Sequence, residues 1–128
     1  MRFTHLAFIS LISAFLHANP AVADSFLTND EIMATQINRD LSGTTRSGKL
    51  LKIVFATGGQ ATASFETTDS TEVSYDGWWK LRENGKLCFK IETVFRGAKK
   101  CVKIRRNGSN FQLYGIGAGK SIFDYSAR

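Results

Sequence analysis

The sequence predicts a mainly β fold, in which one N-terminal helix is followed by about seven antiparallel strands that close as a small barrel or sandwich. Three observations lead to this prediction. Short, largely alternating apolar and polar segments follow one another from Lys49 to the C-terminus. Glycine-containing turns separate them, with Asn84-Gly85 and Asn107-Gly108 as the clearest hairpin signals. The only proline is Pro20, so none interrupts these strands.

A capping box predicts where the helix begins. Thr28 suits the N-cap position, and Glu31, three residues later, can reach back to the Thr28 amide. Apolar residues at roughly helical spacing then predict a helix over residues 29–41, with Gly43 as a natural stop. These apolar residues are Ile32, Met33, Ile37 and Leu41.

The predicted strands cover residues 49–56, 61–67, 72–82, 86–94, 99–106, 110–116 and 121–126. Alternation within the central hairpin predicts its register. If Cys88 faces Cys101, then Leu87 faces Val102 and the apolar residues of both strands share one side. This register places the cysteine pair on the outer, basic face of the sheet. In the preceding strand, the same alternation puts Trp79 and Leu81 on the core side and places Trp78, Lys80 and Arg82 outside.

Residues 1–23 are predicted to be a cleaved secretory signal peptide, which leaves residues 24–128 as a single exported domain. A positively charged start at Arg2 precedes a mostly apolar stretch without carboxylates, and Ala21-Val22-Ala23 supplies small residues for cleavage between Ala23 and Asp24. The apolar stretch is shorter than the roughly 20 residues of a bilayer span, and no second one follows. An uncleaved N-terminal anchor is the alternative. We expect a periplasmic or secreted product with no transmembrane span.

The residues left after cleavage restrict the chemistry that the domain can perform. Both histidines, His5 and His17, belong to the predicted signal peptide, so histidine-dependent triads and the usual histidine-bearing metal sites are excluded. The two cysteines, Cys88 and Cys101, are expected to form a disulfide in an oxidising compartment, with two free thiols as the alternative. We therefore expect no enzymatic activity, no metal and no cofactor.

Positive charge is concentrated in one part of the chain. The predicted exported domain has 16 Lys and Arg against 11 Asp and Glu, and residues 80–106 contain ten of these bases and only two acids. An exposed tryptophan beside cations suits an anionic partner. The predicted binding residues are Trp78, Lys80, Arg82, Lys90, Lys103 and Arg105, with Phe95 as a further aromatic.

The partner is expected to be an anionic envelope polymer or lipid, or an acidic protein. Nucleic acid is not expected, because export separates the protein from most of it. Two other interpretations stay open. The lysines could belong to a solvated strand face that keeps a sheet edge from aggregating. Alternatively, Asp69, Glu72 and Asp76 could form a carboxylate cluster for glycosidase-type hydrolysis, provided that they meet in a cleft.

The order of these cues resembles an uncharacterised family of small exported proteobacterial proteins. The residues that carry the resemblance are Gly77-Trp78-Trp79, Asn84-Gly85-Lys86-Leu87-Cys88, Cys101-Val102 and Asn107-Gly108. It covers most of residues 27–125 and implies a β-rich exported domain with no known activity. More distantly, the tryptophan followed by two cysteines resembles the small eight-stranded barrels of periplasmic metalloprotease inhibitors. That resemblance implies a protease-inhibitor-like or envelope-stress module, although Asp24-Ser25-Phe26 does not supply the inhibitory tail of such proteins.

Overall fold

In the computed structural model, which describes residues 25–67 and 69–128, a short helix precedes eight strands. The elements are α1 (Asn29–Thr35), β1 (Leu41–Thr44), β2 (Leu50–Phe55), β3 (Gln60–Glu66), β4 (Glu72–Leu81), β5 (Leu87–Ile91), β6 (Lys100–Asn107), β7 (Asn110–Gly115) and β8 (Ser121–Ala127). The predicted signal peptide and its cleavage site between Ala23 and Asp24 lie outside the described residues.

The eight strands form one closed antiparallel barrel. Each strand pairs with the next along the chain, and β1 pairs with β8 to complete the ring. The predicted fold class is confirmed, and of the two predicted arrangements the strands form the barrel and not the sandwich. Closure leaves no free sheet edge, since every strand has a neighbour on both sides.

The hairpin turns were predicted correctly. Asn84 has a φ of 56° and Gly85 a φ of 74°, the left-handed conformations that Asn-Gly supplies in a tight β-hairpin. The flanking strands are joined by a hydrogen bond of 2.7 Å, which the Arg82 amide donates to the Lys86 carbonyl. Gly108 makes the second predicted turn, with a φ of 62°.

The helix begins where it was predicted and ends early. The Thr28 amide donates to Glu31 Oε1, and the Glu31 amide donates to Thr28 Oγ1, each at 3.2 Å, so the capping box is confirmed. The extension to residue 41 is wrong. Asn38 adopts a left-handed φ of 60°, and its amide donates to the Phe55 carbonyl at 2.8 Å. This hydrogen bond to the end of β2 outweighs the weak helix propensity of the segment.

The short strand β1 was not predicted, and Gly43 lies within it instead of ending a helix. Gly43 pairs with Leu51 on one side and Tyr125 on the other. A Cβ atom at this position would lie 2.2 Å from the Asp124 carbonyl oxygen, so glycine allows β8 to approach closely enough to close the barrel.

The barrel interior is filled by side chains from alternate positions of every strand. The rings of Phe55 and Phe89 lie 5.4 Å apart near its centre. The segment from Leu27 to Ile37 contributes buried apolar side chains to the same core. We call the end of the barrel that this segment covers the helix end. The turns β2–β3, β4–β5 and β6–β7 lie at the same end. The opposite end, formed by the loops β1–β2, β3–β4, β5–β6 and β7–β8, is called the mouth.

A buried polar pair ties the helix to the last strand. The Tyr125 hydroxyl donates to Gln36 Oε1 at 2.6 Å, and Gln36 is fully buried. Burial raises the pKa of Tyr125 well above its ordinary value, so the hydroxyl remains a neutral donor. Tyr125→Phe should lower the free energy of unfolding by about 1–3 kcal/mol, because it leaves the Gln36 oxygen unpaired in the core.

Urea unfolding of Tyr125→Phe, beside a matched control, tests this pair. Tyr75→Phe is that control, since Tyr75 is half-buried and no protein hydrogen bond to its hydroxyl is found among the described residues. We expect Tyr75→Phe to stay within about 0.5 kcal/mol of the parent. Equal losses in the two variants would show that the Tyr125–Gln36 bond adds nothing.

Candidate anion-binding face

The predicted register of the central hairpin is confirmed. Cys88 pairs with Cys101 and Leu87 with Val102 across β5 and β6, and the two cysteines form a disulfide. Leu87 and Val102 lie in the core, and each cysteine is next to one of them along its strand, so the cysteine side chains point to the other side of the sheet. The disulfide is therefore on the outer side of the barrel wall, as predicted. Its exposure differs from the prediction, because Cys88 is fully buried.

A group of exposed bases surrounds Trp78 on the outer side of β4 and β5. Trp78 pairs with Lys90, and Lys80 pairs with Cys88. Lys99, which directly precedes β6, places its ammonium 6.0 Å from the centre of the Trp78 ring. Trp78 itself is 40% exposed, which is unusual for so large an apolar side chain. We call these four residues (Trp78, Lys80, Lys90 and Lys99) the basic face.

Among the described residues, Lys80, Lys90 and Lys99 take part in no ion pair. Phe89 and Lys100 form the last pair of the β5–β6 ladder, and Lys90 and Lys99 are the residues just beyond it. Neighbouring like charges on a sheet destabilise it. The folding of β5 and β6 therefore gives no reason to collect these lysines here.

Closure of the barrel bears on the alternative interpretation that the lysines protect a sheet edge from aggregation. Lysines protect a sheet when they line an exposed edge. Both β4 and β5 have a neighbouring strand on each side in the ring, although the β3–β4 ladder ends at Trp78 and the β5–β6 ladder ends at Phe89. The closed ring therefore has no long open edge for these lysines to protect, and a solvated strand face remains the alternative interpretation.

The predicted residues Lys103 and Arg105 have a different environment. Both are half-buried on the outer side of β6 and contact the ring of Phe26, with the Lys103 ammonium at 5.7 Å and the Arg105 guanidinium at 4.8 Å from its centre. Arg105 is also 4.7 Å from the centre of the Tyr114 ring. We call Phe26, Lys103, Arg105 and Tyr114 the aromatic clamp.

The aromatic clamp holds the N-terminal segment against the barrel. Phe26 pairs with Arg105 as an antiparallel bridge, and the Leu27 amide donates to the Ile104 carbonyl at 2.7 Å. Their contacts with aromatic rings give the cations at Lys103 and Arg105 a structural role that requires no ligand. Two of the six predicted binding residues, Lys103 and Arg105, therefore contribute to packing as well as to charge. The sequence could not indicate this, since nothing in it shows where Phe26 packs.

The remaining predicted residues lie outside both the basic face and the aromatic clamp. Arg82 is exposed just beyond β4, and its carbonyl accepts a hydrogen bond of 2.9 Å from the Asn29 side chain. Trp79 lies on the core side, as predicted, where its indole N–H donates to the Ala56 carbonyl at 2.7 Å. Phe95 is half-buried at the mouth, with the Lys100 ammonium 5.6 Å from its ring centre.

The three candidate carboxylates do not form a cluster. Asp69 lies in the β3–β4 loop, where hydrogen bonds from Thr67, the larger contribution, and from Thr71 lower its pKa. Glu72 pairs with Lys52 at 3.7 Å. Asp76 is exposed four residues further along β4, a separation of about 13 Å in an extended strand. The cleft that paired acid–base catalysis requires is therefore not assembled from these residues.

No group of three or more metal-ligating side chains comes together within residues 25–67 and 69–128. Over the same residues, no helix is long and apolar enough to cross a membrane. No family model, curated protein or solved structure matches the chain.

Proposed function

We propose that this chain is an exported binding protein, without catalytic activity, whose basic face recognises a polyanionic polymer or surface. The observation that carries the proposal is the cluster of Lys80, Lys90 and Lys99 around an exposed Trp78. These lysines form no ion pair within the described part of the chain. Such an arrangement costs stability through repulsion between the lysines, and an anionic partner relieves that repulsion. The Cys88–Cys101 disulfide supports export, because such bonds persist mainly in oxidising compartments.

The clustered lysines favour a polymer or surface over a single small anion. Asp76 and Glu92 are neighbours at the mouth-side border of the basic face, where the Glu92 backbone amide donates to the Asp76 backbone carbonyl at 3.3 Å. From this acidic border the positive charge continues toward the helix end, through Lys90 and Lys80 to Arg82. This continuous row suits repeated carboxylate, phosphate or sulfate groups, and the exposed indole offers a flat apolar surface between them.

Reversing two charges of the basic face should weaken polyanion binding at least tenfold. Lys80→Glu/Lys90→Glu replaces two attractions with two repulsions, and each exposed contact is worth on the order of 1 kcal/mol at close range. The matched control is Arg39→Glu/Arg128→Glu. It makes the same change in net charge at exposed residues beside β1, on the far side of the barrel.

Binding is measured with soluble heparin and with phosphatidylglycerol-containing vesicles, each at low and high salt. We expect the control to bind like the parent protein and the Lys80→Glu/Lys90→Glu variant to lose affinity for both probes. High salt should reduce binding by the parent protein, because exposed charges are screened. Equal binding by the two variants would disprove the proposal. Binding that persists at high salt would instead favour a protein partner, as in the inhibitor-like alternative.

A further inference from the structure

The mouth of the barrel contains a cavity of about 910 Å³, whose lining residues do not include those of the basic face. Its walls are largely apolar, although the cavity opens to solvent between the loops. The apolar wall includes Leu51, Phe65, Val73, Tyr75, Val94 and Phe123. Small-molecule sites in proteins have volumes of about 300–1,000 Å³ and are mostly apolar. The cavity is therefore large enough for an alkyl chain.

The rim of this cavity is basic. Arg46, Lys49 and Arg96 line it, and Glu66 is the carboxylate among its lining residues. Within the described part of the chain, none of the three bases takes part in an ion pair. Lys100 adds a fourth positive charge near the mouth, since its ammonium lies over the ring of Phe95, which also lines the cavity. Apolar walls below a net positive rim complement a ligand with an apolar tail and an anionic head.

The loop that carries part of this rim has an uncommon backbone conformation. Thr93, Phe95 and Arg96 have φ values of 66°, 48° and 62°, the left-handed region that residues other than glycine rarely adopt. All three line the cavity. Strained residues of this kind are found preferentially at binding and catalytic sites, where the surrounding structure holds them in place. The strained loop thus coincides with the basic rim and the apolar cavity.

We propose that the mouth binds a free single-chain anionic amphiphile, such as a fatty carboxylate. The alkyl chain enters the apolar cavity, and the carboxylate lies at the rim near Arg46, Lys49 and Arg96. This ligand differs in chemistry from the polyanion proposed for the basic face. The two sites share no residue, so either proposal can fail without the other.

Calorimetric titration with monomeric octanoate, decanoate and dodecanoate tests this proposal. Each added methylene should tighten binding by about fourfold, so two methylenes give about 15-fold, if the chain is buried in the cavity. Arg46→Glu/Lys49→Glu should weaken dodecanoate binding at least tenfold. Both residues are exposed, so this variant is expected to fold. Arg39→Glu/Arg128→Glu, with the same change in net charge, should bind within twofold of the parent protein.

Three results would overturn the proposal. The first is the absence of dodecanoate binding up to its solubility limit. The second is an affinity that does not depend on chain length, which would place the alkyl chain outside the cavity. The third is equal dodecanoate affinity in the two double variants, which would remove the carboxylate from the rim. Heparin binding by Arg46→Glu/Lys49→Glu should be unchanged, so failure here is distinguishable from failure of the basic face.

Discussion

Replacing Gly77 with alanine should lower the free energy of unfolding by at least about 3 kcal/mol. Gly77 lies in β4 between Ala61 of β3 and Ile91 of β5, at a point where the strands approach very closely. A Cβ atom there would lie 1.9 Å from the Lys90 carbonyl oxygen and 2.7 Å from the Ile91 Cα. Both obstacles are backbone atoms, so the strands themselves would have to separate. Overpacking usually costs about 1–3 kcal/mol, and a clash with backbone belongs at or beyond the upper end of that range.

Gly119→Ala is the matched control for this substitution. Gly119 lies in the β7–β8 loop, where an added Cβ would have no atom of the described residues within 4 Å apart from its two neighbours along the chain. We expect this variant to stay within about 0.5 kcal/mol of the parent protein in urea unfolding. For a domain of about 100 residues, a loss of 3 kcal/mol lowers the melting temperature by at least about 12 °C. A Gly77→Ala variant as stable as Gly119→Ala would contradict the close approach of β4 and β5.

Removing the disulfide should cost about 3 kcal/mol. Cys88 and Cys101 are 13 residues apart, and a bond that closes a loop of this length restricts the unfolded chain by roughly that amount in the chain-entropy model. Cys88→Ala/Cys101→Ala also removes a sulfur atom from a fully buried position. The variant should unfold at lower urea concentration, with β5 and β6 as the strands that lose their covalent connection.

Chemical reduction provides the control for the disulfide. A reducing agent should destabilise the parent protein by about as much as the double substitution does and should leave Cys88→Ala/Cys101→Ala unchanged. Intact mass before and after reduction and alkylation shows whether the bond is present. If the parent protein has two free thiols, or if its unfolding midpoint does not change on reduction, the assigned role of the disulfide is wrong.

Local signals account for the parts of the fold that could be predicted. Asn84-Gly85 and Asn107-Gly108 set their turns through their own backbone preferences. The alternation of Leu87, Phe89 and Ile91 determined which side of β5 faces the core, and the cysteine pairing then had to agree with it. The capping box likewise lies within four consecutive residues, so the start of α1 could be read directly.

The features that were missed depend on contacts between distant parts of the chain. Strand β1 has a single buried apolar side chain, Leu41, and owes its position to pairing with β8, more than 80 residues away. The aromatic clamp requires Phe26 to reach β6, which no local pattern indicates. The apolar residues that line the mouth cavity come from four strands and one loop, and they include Phe65, Val94 and Phe123. Only closure of the barrel brings such residues together.

The indole N–H resonances offer the most direct test of the basic face. The chain has two tryptophans, and their environments differ. Trp78 is exposed beside Lys99, whereas the Trp79 indole is hydrogen-bonded to Ala56 on the core side and serves as an internal control. When heparin oligosaccharide is titrated into the parent protein at low salt, we predict a saturable shift of the Trp78 resonance and little change at Trp79. A Trp78 resonance that stays in place while heparin binds would contradict the assignment of the basic face as the binding surface.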